Sequence, residues 1–454
     1  MSEEALPSSF RDPSGYVFYK DSVLYRRINQ SYKENYEKLI SSGLYKSLAG
    51  KCFIVPHEEI SSDGGITIKP LQIPFISYPY EWCFSQLKDA ALLTLDIQKE
   101  ALKFGMTLKD CSAYNIQFYK GKAIFIDTLS FETYNEGQPW IAYKQFCQHF
   151  LAPLALIVYK DIRLNNLSKE FLDGIPLDLA SKILPAETWF KLSLLSHIHI
   201  HSKSQKRYSC EEIKKSSFHI SKQSLLALID NLETAVKKLR WSPGKTEWAD
   251  YYSDNSYTDS VMKQKQKTVS EFIDKVNPKN VWDLGGNTGR FSRIASDKGL
   301  NTISFDIDPC AIESSYQEAK KKGEKNILPL VMDLTNASPG IGWANNERMP
   351  LIQRGPVDLA LALALVHHLA ISNNVPFKKI ADFLGSVCRA LIIEFVPKMD
   401  VQVQRLLSSR EDVFPGYTRE NFEQEFSKCF AIEKSLNIDD SKRVLYLMKN
   451  KKVI

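Results

Sequence analysis

The second half of this 454-residue chain is predicted to be α/β, a seven-stranded, doubly wound and mostly parallel sheet, and the first half α+β. Three observations carry that expectation. From Asn280 onward, apolar runs alternate with segments of helical period. The first of those runs ends in a glycine-rich turn, V-W-D-L-G-G-N-T-G over Val281–Gly289. Upstream, Pro243-Gly244 breaks the chain after the helical pattern Leu225–Leu239, which divides it into domains 1–244 and 245–454.

The elements of the second domain follow in order. Asn280–Leu284 reads as a strand and Arg290–Lys298 as a helix. Thr302–Asp308 is the second strand, Ala311–Lys322 its helix, and Ile327–Leu334 the third strand. Val357–Val366 is a long apolar fourth strand, Pro376–Cys388 the next helix, and Arg389–Val396 the fifth strand. Phe430–Leu436 and Arg443–Lys449 form a closing hairpin that supplies an antiparallel edge.

Composition sets the outer limits. Apolar residues make up 44% and charged residues 25%, which fits a globular chain. Leu151–Val158 and Leu359–Val366 are too short to cross a bilayer, so no membrane is expected. Met1–Ser14 has no leader pattern, and the eight cysteines include no C-x-x-C pair. Together these predict a cytoplasmic protein with reduced thiols and no metal site. The net charge of +6 concentrates in Lys203–Lys245. A solvated helical face accounts for it, and no helix-turn-helix, zinc-finger or RNP pattern accompanies it.

The glycine turn matches neither common nucleotide pattern. Counting from Gly285, a G-x-G-x-x-G fingerprint would need glycine where Asn287 and Arg290 stand, and no G-K-[ST] ends the turn. What remains is D-x-G-x-x-x-G. This resembles motif I of the class I methyltransferases that use S-adenosylmethionine, with Asn287 at the usual middle glycine; asparagine tolerates left-handed backbone angles. The resemblance covers about 250–454 and implies a Rossmann-like methyltransferase sheet. It also assigns cofactor contacts. Gly285, Gly286, Asn287, Thr288 and Gly289 let the backbone approach the methionine portion. Asp283 balances the ligand ammonium, Asp306 accepts the ribose hydroxyls, and Asp333-Leu334 meet the adenine. Each acid closes a strand, on the edge where open α/β sheets bind ligands. Trp248, Tyr251, Tyr252 and Tyr257 precede the first strand, where family members often cap the cofactor; an aromatic patch joining the domains is the alternative.

The acceptor side is read from Leu365–Leu369, at the end of strand four. His367 or His368 would serve as base if the nucleophile carries a proton at neutral pH. Glu394, near the end of strand five, is a further candidate. The N/D-P-P-Y/F signature of base-amine methylation is missing, which argues against duplex DNA and for a small-molecule or protein acceptor. Pro339–Pro350, with Trp343, Glu347 and Arg348, is either part of the acceptor pocket or a surface insertion.

The first half carries a different pattern. Asp110 is followed by Asn115, then a hairpin (Ile116–Phe118, Ala123–Ile126) around a turn centred on Lys122, then Asp127. The helical stretch Leu87–Phe104 precedes it. This order resembles the catalytic loop and metal-binding aspartate of kinase-like phosphotransferases, and the pairing resembles uncharacterised bacterial two-part methyltransferases. The resemblance implies ATP and magnesium, with Arg26 or Arg27 standing in for the phosphate-binding lysine. The order departs from that family in lacking His-Arg before Asp110 and Phe-Gly after Asp127, and a turn rich in capping Asp and Asn would place the same residues without chemistry. The run His197-Ile198-His199-Ile200-His201 would hold a metal only on a strand, and no acid or cysteine nearby completes a site. The chain is therefore expected to be an S-adenosylmethionine-dependent methyltransferase. The alternatives are a bifunctional methyltransferase/phosphotransferase and a non-catalytic cofactor-binding protein.

Overall fold

The computed structural model describes residues 5–62, 65–201, 219–244, 259–408, 411–439 and 441–452. The four aromatic residues ahead of the first predicted strand lie outside them, as do Cys210 and most of the basic stretch, 203–218 and 245. The chain forms two compact units, Met1–Ser242 with Ile341–Arg348, and Pro243–Gly340 with Met349–Ile454. The short segment Ile341–Arg348, assigned from sequence to the second domain, thus groups with the first.

In the first unit, β1 (Gly15–Lys20), β2 (Val23–Ile28), β3 (His57–Ser62) and β4 (Gly65–Pro70) form an antiparallel sheet in the order β1-β2-β4-β3. Asp21 and Ser22 turn the first hairpin with φ of 51° and 63°, the left-handed pair that matches strand twist. Helices α1 (Lys33–Ser41) and α2 (Leu44–Gly50) follow β2. Helix α3 (Phe84–Lys103) buries Leu87, Ala91, Leu95 and Leu102. Two short pairs come next: β5 (Met106–Leu108) with β8 (Phe131–Thr133), and β6 (Ile116–Tyr119) with β7 (Lys122–Phe125). The turn between β6 and β7 is Lys120-Gly121, with φ of 49° and 74°, so Lys122 starts a strand instead of centring the turn. Helix α4 (Lys222–Lys238) packs on α3, where Lys99 reaches Asp230 at 2.5 Å and Glu233 at 2.7 Å.

The second unit opens with α5 (Asp259–Val276) and then alternates: β9 (Asn280–Leu284), α6 (Arg290–Ser296), β10 (Asn301–Asp306), α7 (Pro309–Lys322), β11 (Ile327–Val331), β12 (Val357–Ala362), α8 (Phe377–Val387), β13 (Cys388–Phe395). It closes with α9 (Val401–Leu407), α10 (Arg419–Phe426) and the pair β14 (Phe430–Asn437) and β15 (Val444–Asn450). Seven strands form one sheet in the order β11-β10-β9-β12-β13-β15-β14. Strands β9 to β13 are parallel; β15 runs antiparallel to β13, and β14 to β15.

Side-chain alternation along each strand feeds two cores. On one face, Val269, Phe272 and Ile273 of α5 and Phe291 of α6 pack on Val281, Leu359, Leu361 and Ile392. On the other, Phe395 and Tyr446 meet Phe377 of α8 and Phe422 of α10. A sheet buried on both faces needs near-continuous apolar strands, and β12 and β13 supply them. Among the described residues no helix is long and apolar enough to cross a membrane.

Candidate functional site

The geometry of the glycine turn follows from what each residue lacks or tolerates. Gly285, at φ 79°, and Gly286 both donate their N–H to the Phe305 carbonyl at 2.9 Å, which folds the turn back over β10. A Cβ on Gly286 would sit 2.3 Å from Ser304 Oγ, so only glycine fits. Asn287 takes φ 50°; its N–H donates to Asp306 Oδ2 at 2.7 Å and its own Oδ1 accepts the Thr288 N–H at 2.8 Å. Gly289, at φ 84°, is the residue from which α6 starts, and a Cβ there would meet Arg293 Nη1 and Ser315 Oγ at 2.9 Å.

Three strand-end carboxylates converge beside this turn. Asp283 is 1% exposed and accepts the Ser292 hydroxyl at 2.6 Å. Burial pushes its carboxyl up to about 6, the Ser292 hydrogen bond opposes this, and the charge of Asp306 adds to it. Asp306 is pushed up to about 6 as well, by burial first, against the hydrogen bonds it accepts from Asp308 and Asn287. Asp333 caps the short turn Leu334–Asn336, accepting the Thr335 N–H at 2.8 Å and the Thr335 hydroxyl at 2.6 Å.

A cavity of about 290 Å³ opens at this edge of the sheet. Asp283, Gly285, Gly286, Asn287, Asp306, Asp333 and Leu334 line it; Thr288 and Gly289 do not, and shape the turn from behind. The rest of the lining includes the apolar Met262, Leu365, Leu369 and Leu406 together with His368, Ser372 and Asn373.

The histidines are not at a strand end. β12 stops at Ala362, Ala364 adopts φ 50°, and the chain then turns helically, with a wide turn over His368–Ser372. The two rings stay in contact, 4.1 Å between centres, but only one of them lines the cavity. His368 faces the cavity, and burial followed by the charge of Arg443 lowers it to about 4. His367 is 0% exposed, does not line the cavity, and its ring nitrogens have no hydrogen-bond partner among the described residues. Burial lowers it far below the usual histidine range, so it stays neutral. Glu394 is also outside the cavity lining: it is 0% exposed and accepts Lys265 Nζ at 2.6 Å.

Lys265, which lines the cavity, is a residue the sequence analysis missed. Its signal was present in α5, where Val261, Lys265, Thr268, Val269 and Phe272 fall on one buried stripe. A lysine on an apolar stripe requires a partner. The segment Ile341–Arg348, from the loop considered for the acceptor pocket, contributes no residue to the cavity.

In the first unit Asp110, Asn115 and Asp127 do come together. Burial raises the Asp110 carboxyl, and the charge of Asp127 adds to that, while hydrogen bonds from Ser112, Asn115 and Gln145 lower it. Gln145 donates at 2.7 Å, another contact not foreseen from sequence. Asp127 is already engaged by Ser130 and by Arg26, which also reaches Asp12 at 3.0 Å. Arg27 points elsewhere, to Thr67 Oγ1 at 3.1 Å. The histidine run lies on a wide helical turn, Leu195–Ile200. His197 meets the Tyr143 hydroxyl and Asn231 Oδ1, both at 2.7 Å, and His199 meets Ser181 and Thr188. No group of three His, Cys, Asp or Glu is placed to hold a metal among the described residues.

No known protein-family profile matches the chain. Among solved structures, WbdD in complex with the kinase inhibitor LY294002 aligns with 19% identity and a TM-score of 0.31, over 48% of this chain and 47% of its own. Magnesium protoporphyrin IX methyltransferase (ChlM) from Synechocystis PCC 6803 with bound SAH aligns with 18% identity and a TM-score of 0.32, over 45% of this chain and 93% of its own. The N-methyltransferase NodS from Bradyrhizobium japonicum WM9 gives 12% and 0.31, over 42% and 97%. The nodulation protein NoeA of Rhizobium meliloti (strain 1021) is 35% identical over 452 residues, 96% of this chain and 94% of its own length. The chain belongs to the family of NoeA.

Proposed function

We propose that the second unit binds S-adenosylmethionine and catalyses transfer of its methyl group to a small-molecule or protein acceptor. The observation that supports this is the gathering of Asp283, Asp306 and Asp333, from the ends of three adjacent parallel strands, around one cavity beside a turn that excludes side chains. The residues fit such a ligand. Gly285 and Gly286 present bare backbone at the cavity wall, and the carboxylates suit a cationic nucleoside: Asp283 for the ammonium, Asp306 for the ribose hydroxyls, Asp333 and Leu334 for the adenine.

When bound, S-adenosylmethionine supplies an electrophilic methyl carbon on a positively charged sulfur. The chain's own task is then alignment and exclusion of water. Met262, Leu365, Leu369 and Leu406 keep water from the cavity, while Ser372 and Asn373 offer hydrogen bonds that orient an acceptor. His368 is neutral at pH 7 and serves as proton acceptor for a nucleophile that loses a proton as it attacks.

The convergence of Asp110, Asn115 and Asp127 supports a second reading, magnesium-dependent ATP use by the first unit. It requires Asp127 to exchange Arg26 for the metal, a rearrangement the methyl-transfer reading does not need. The test is calorimetric titration of the full-length protein with S-adenosylmethionine, together with incubation of the tritiated compound with fractionated lysate. Binding that weakens in Asp306→Ala, with label moving to an acceptor fraction, is expected. Binding without label transfer would leave a cofactor-binding protein without catalysis, and unchanged affinity in the variant would reject the site.

A further inference from the structure

Charged groups that the methyl-transfer reading leaves unused form one buried chain. Lys265 is 3% exposed, and its Nζ donates to Glu394 Oε2 at 2.6 Å. Glu394 lies 3.8 Å from Arg443 Nη1, and both are 0% exposed. Arg443 in turn donates to Asp400, from Nε at 2.6 Å and from Nη2 at 2.9 Å. Signs alternate along this chain, so it is neutral as a whole. A buried ion pair adds little net stability over well-packed apolar residues of the same volume. Stability alone therefore does not explain four charges packed here.

Position supplies a reason. Of the four, Lys265 alone reaches the cavity wall. Its ammonium stands 4.9 Å from the ring centre of Phe291, which also lines the cavity, and is close enough to Asp283 to feel its charge. This part of the cavity thus presents one carboxylate and one ammonium together, whereas Asp306 and Asp333 present carboxylates alone. The α-amino-acid end of a ligand carries the opposite pair on one carbon, an ammonium and a carboxylate.

We propose that Lys265 recognises the α-carboxylate of the ligand's amino-acid end, with Asp283 taking the neighbouring ammonium and Glu394, Arg443 and Asp400 holding the lysine in place. The inference rests on the reading of the cavity as a site for S-adenosylmethionine. It makes Lys265 a specificity-determining residue, selecting nucleosides that carry an intact amino acid over those that have lost it. The buried Glu394, itself held beside Arg443, fixes the ammonium in place at the cavity wall.

The experiment compares S-adenosylhomocysteine with 5′-methylthioadenosine, which keeps the nucleoside and thioether but lacks the amino acid, by calorimetry on the full-length protein. Lys265→Met is expected to weaken S-adenosylhomocysteine by about tenfold to a hundredfold, the worth of a charged hydrogen bond, and to leave 5′-methylthioadenosine within about twofold. Equal losses for both ligands, or no loss for S-adenosylhomocysteine, overturn the proposal. A wild-type protein that binds neither ligand overturns the cofactor reading itself. Should Lys265→Met not fold, the wild type is titrated with S-adenosylmethionine and its decarboxylated form. A preference of at least about tenfold for the former supports the assignment, and equal affinities overturn it.

Discussion

Lowering the pH is the perturbation that reads the cavity most directly. Asp283 and Asp306 are each raised from 3.8 to about 6 in the free protein, mainly by burial. A cationic ligand favours their ionised forms, so binding below pH 6 has to expel protons. For one such carboxyl, moving from about pH 7.5 to pH 5 weakens affinity by about tenfold, and for both by about a hundredfold. The two interact, so they titrate as a pair and the slope of log affinity falls between one and two per pH unit. The same shift has a consequence for folding. A carboxyl whose folded pKa is raised contributes stability that is fully present below its unfolded value, near 4, and lost as pH rises through 6. For the fully buried Asp283 that loss amounts to roughly 3 kcal/mol above pH 6, and a bound cation recovers part of it. Titration calorimetry with S-adenosylmethionine at several pH values, in buffers of different ionisation enthalpy, measures both affinity and proton release. Asp283→Asn should remove one of the two steps. Affinity that stays level from pH 8 to pH 5, or that improves on acidification, would refute the reasoning.

Further expectations concern single side chains. Gly286→Ala drives a methyl into Ser304 Oγ; it should lower stability by about 1–3 kcal/mol and abolish cofactor binding, measured by denaturant titration and calorimetry. Phe272→Ala empties the core between α5 and the sheet and should cost about 3–5 kcal/mol in the same titration. His368→Asn should slow methyl transfer while leaving cofactor affinity within about twofold, since the ring lines the cavity and its proposed task is to take the acceptor's proton. Asp127→Ala separates the two uses of the first unit: lost magnesium-dependent ATP binding supports phosphotransfer, whereas a lower Tm with no ATP binding in the parent identifies a structural partner of Arg26.

What was legible in the sequence was local. The strand Asn280–Leu284 and the turn behind it carry their own chemistry: β-branched and aromatic residues, then glycines where a Cβ collides. The acids at Asp306 and Asp333 could be found because one ends its strand and the other follows its strand by two residues. The histidine pair was placed wrongly because an apolar run does not reveal where its backbone turns. The strand stops at Ala362, Ala364 beyond it takes φ 50°, and alanine gives no warning of that. Lys265 and Glu394 lie 129 residues apart, and only the folded sheet brings them together. The convergence of Asp110 with Asp127 was what the resemblance to kinase-like phosphotransferases implied, but Arg26 on Asp127 and Gln145 on Asp110 were visible only in the tertiary structure.

Glu394 shows how the two levels can be told apart by experiment. Its position near the end of β13 made it a candidate for the chemistry, and a catalytic carboxylate would have to touch the reacting groups. In the structure it lies behind Lys265, between two cations. Replacing it by glutamine leaves Lys265 buried beside a neutral amide and weakens the link to Arg443. Removal of one member of such a buried set typically costs about 3–5 kcal/mol, so the denaturation midpoint should fall markedly. Because Lys265 then loses the group that fixes its ammonium, affinity for S-adenosylhomocysteine should fall while that for 5′-methylthioadenosine holds. A catalytic role predicts the reverse pattern: stability and both affinities kept, turnover lost. Measuring the denaturation midpoint, the two affinities and the transfer rate on Glu394→Gln therefore separates a residue that positions the ligand's anchor from one that takes part in the reaction.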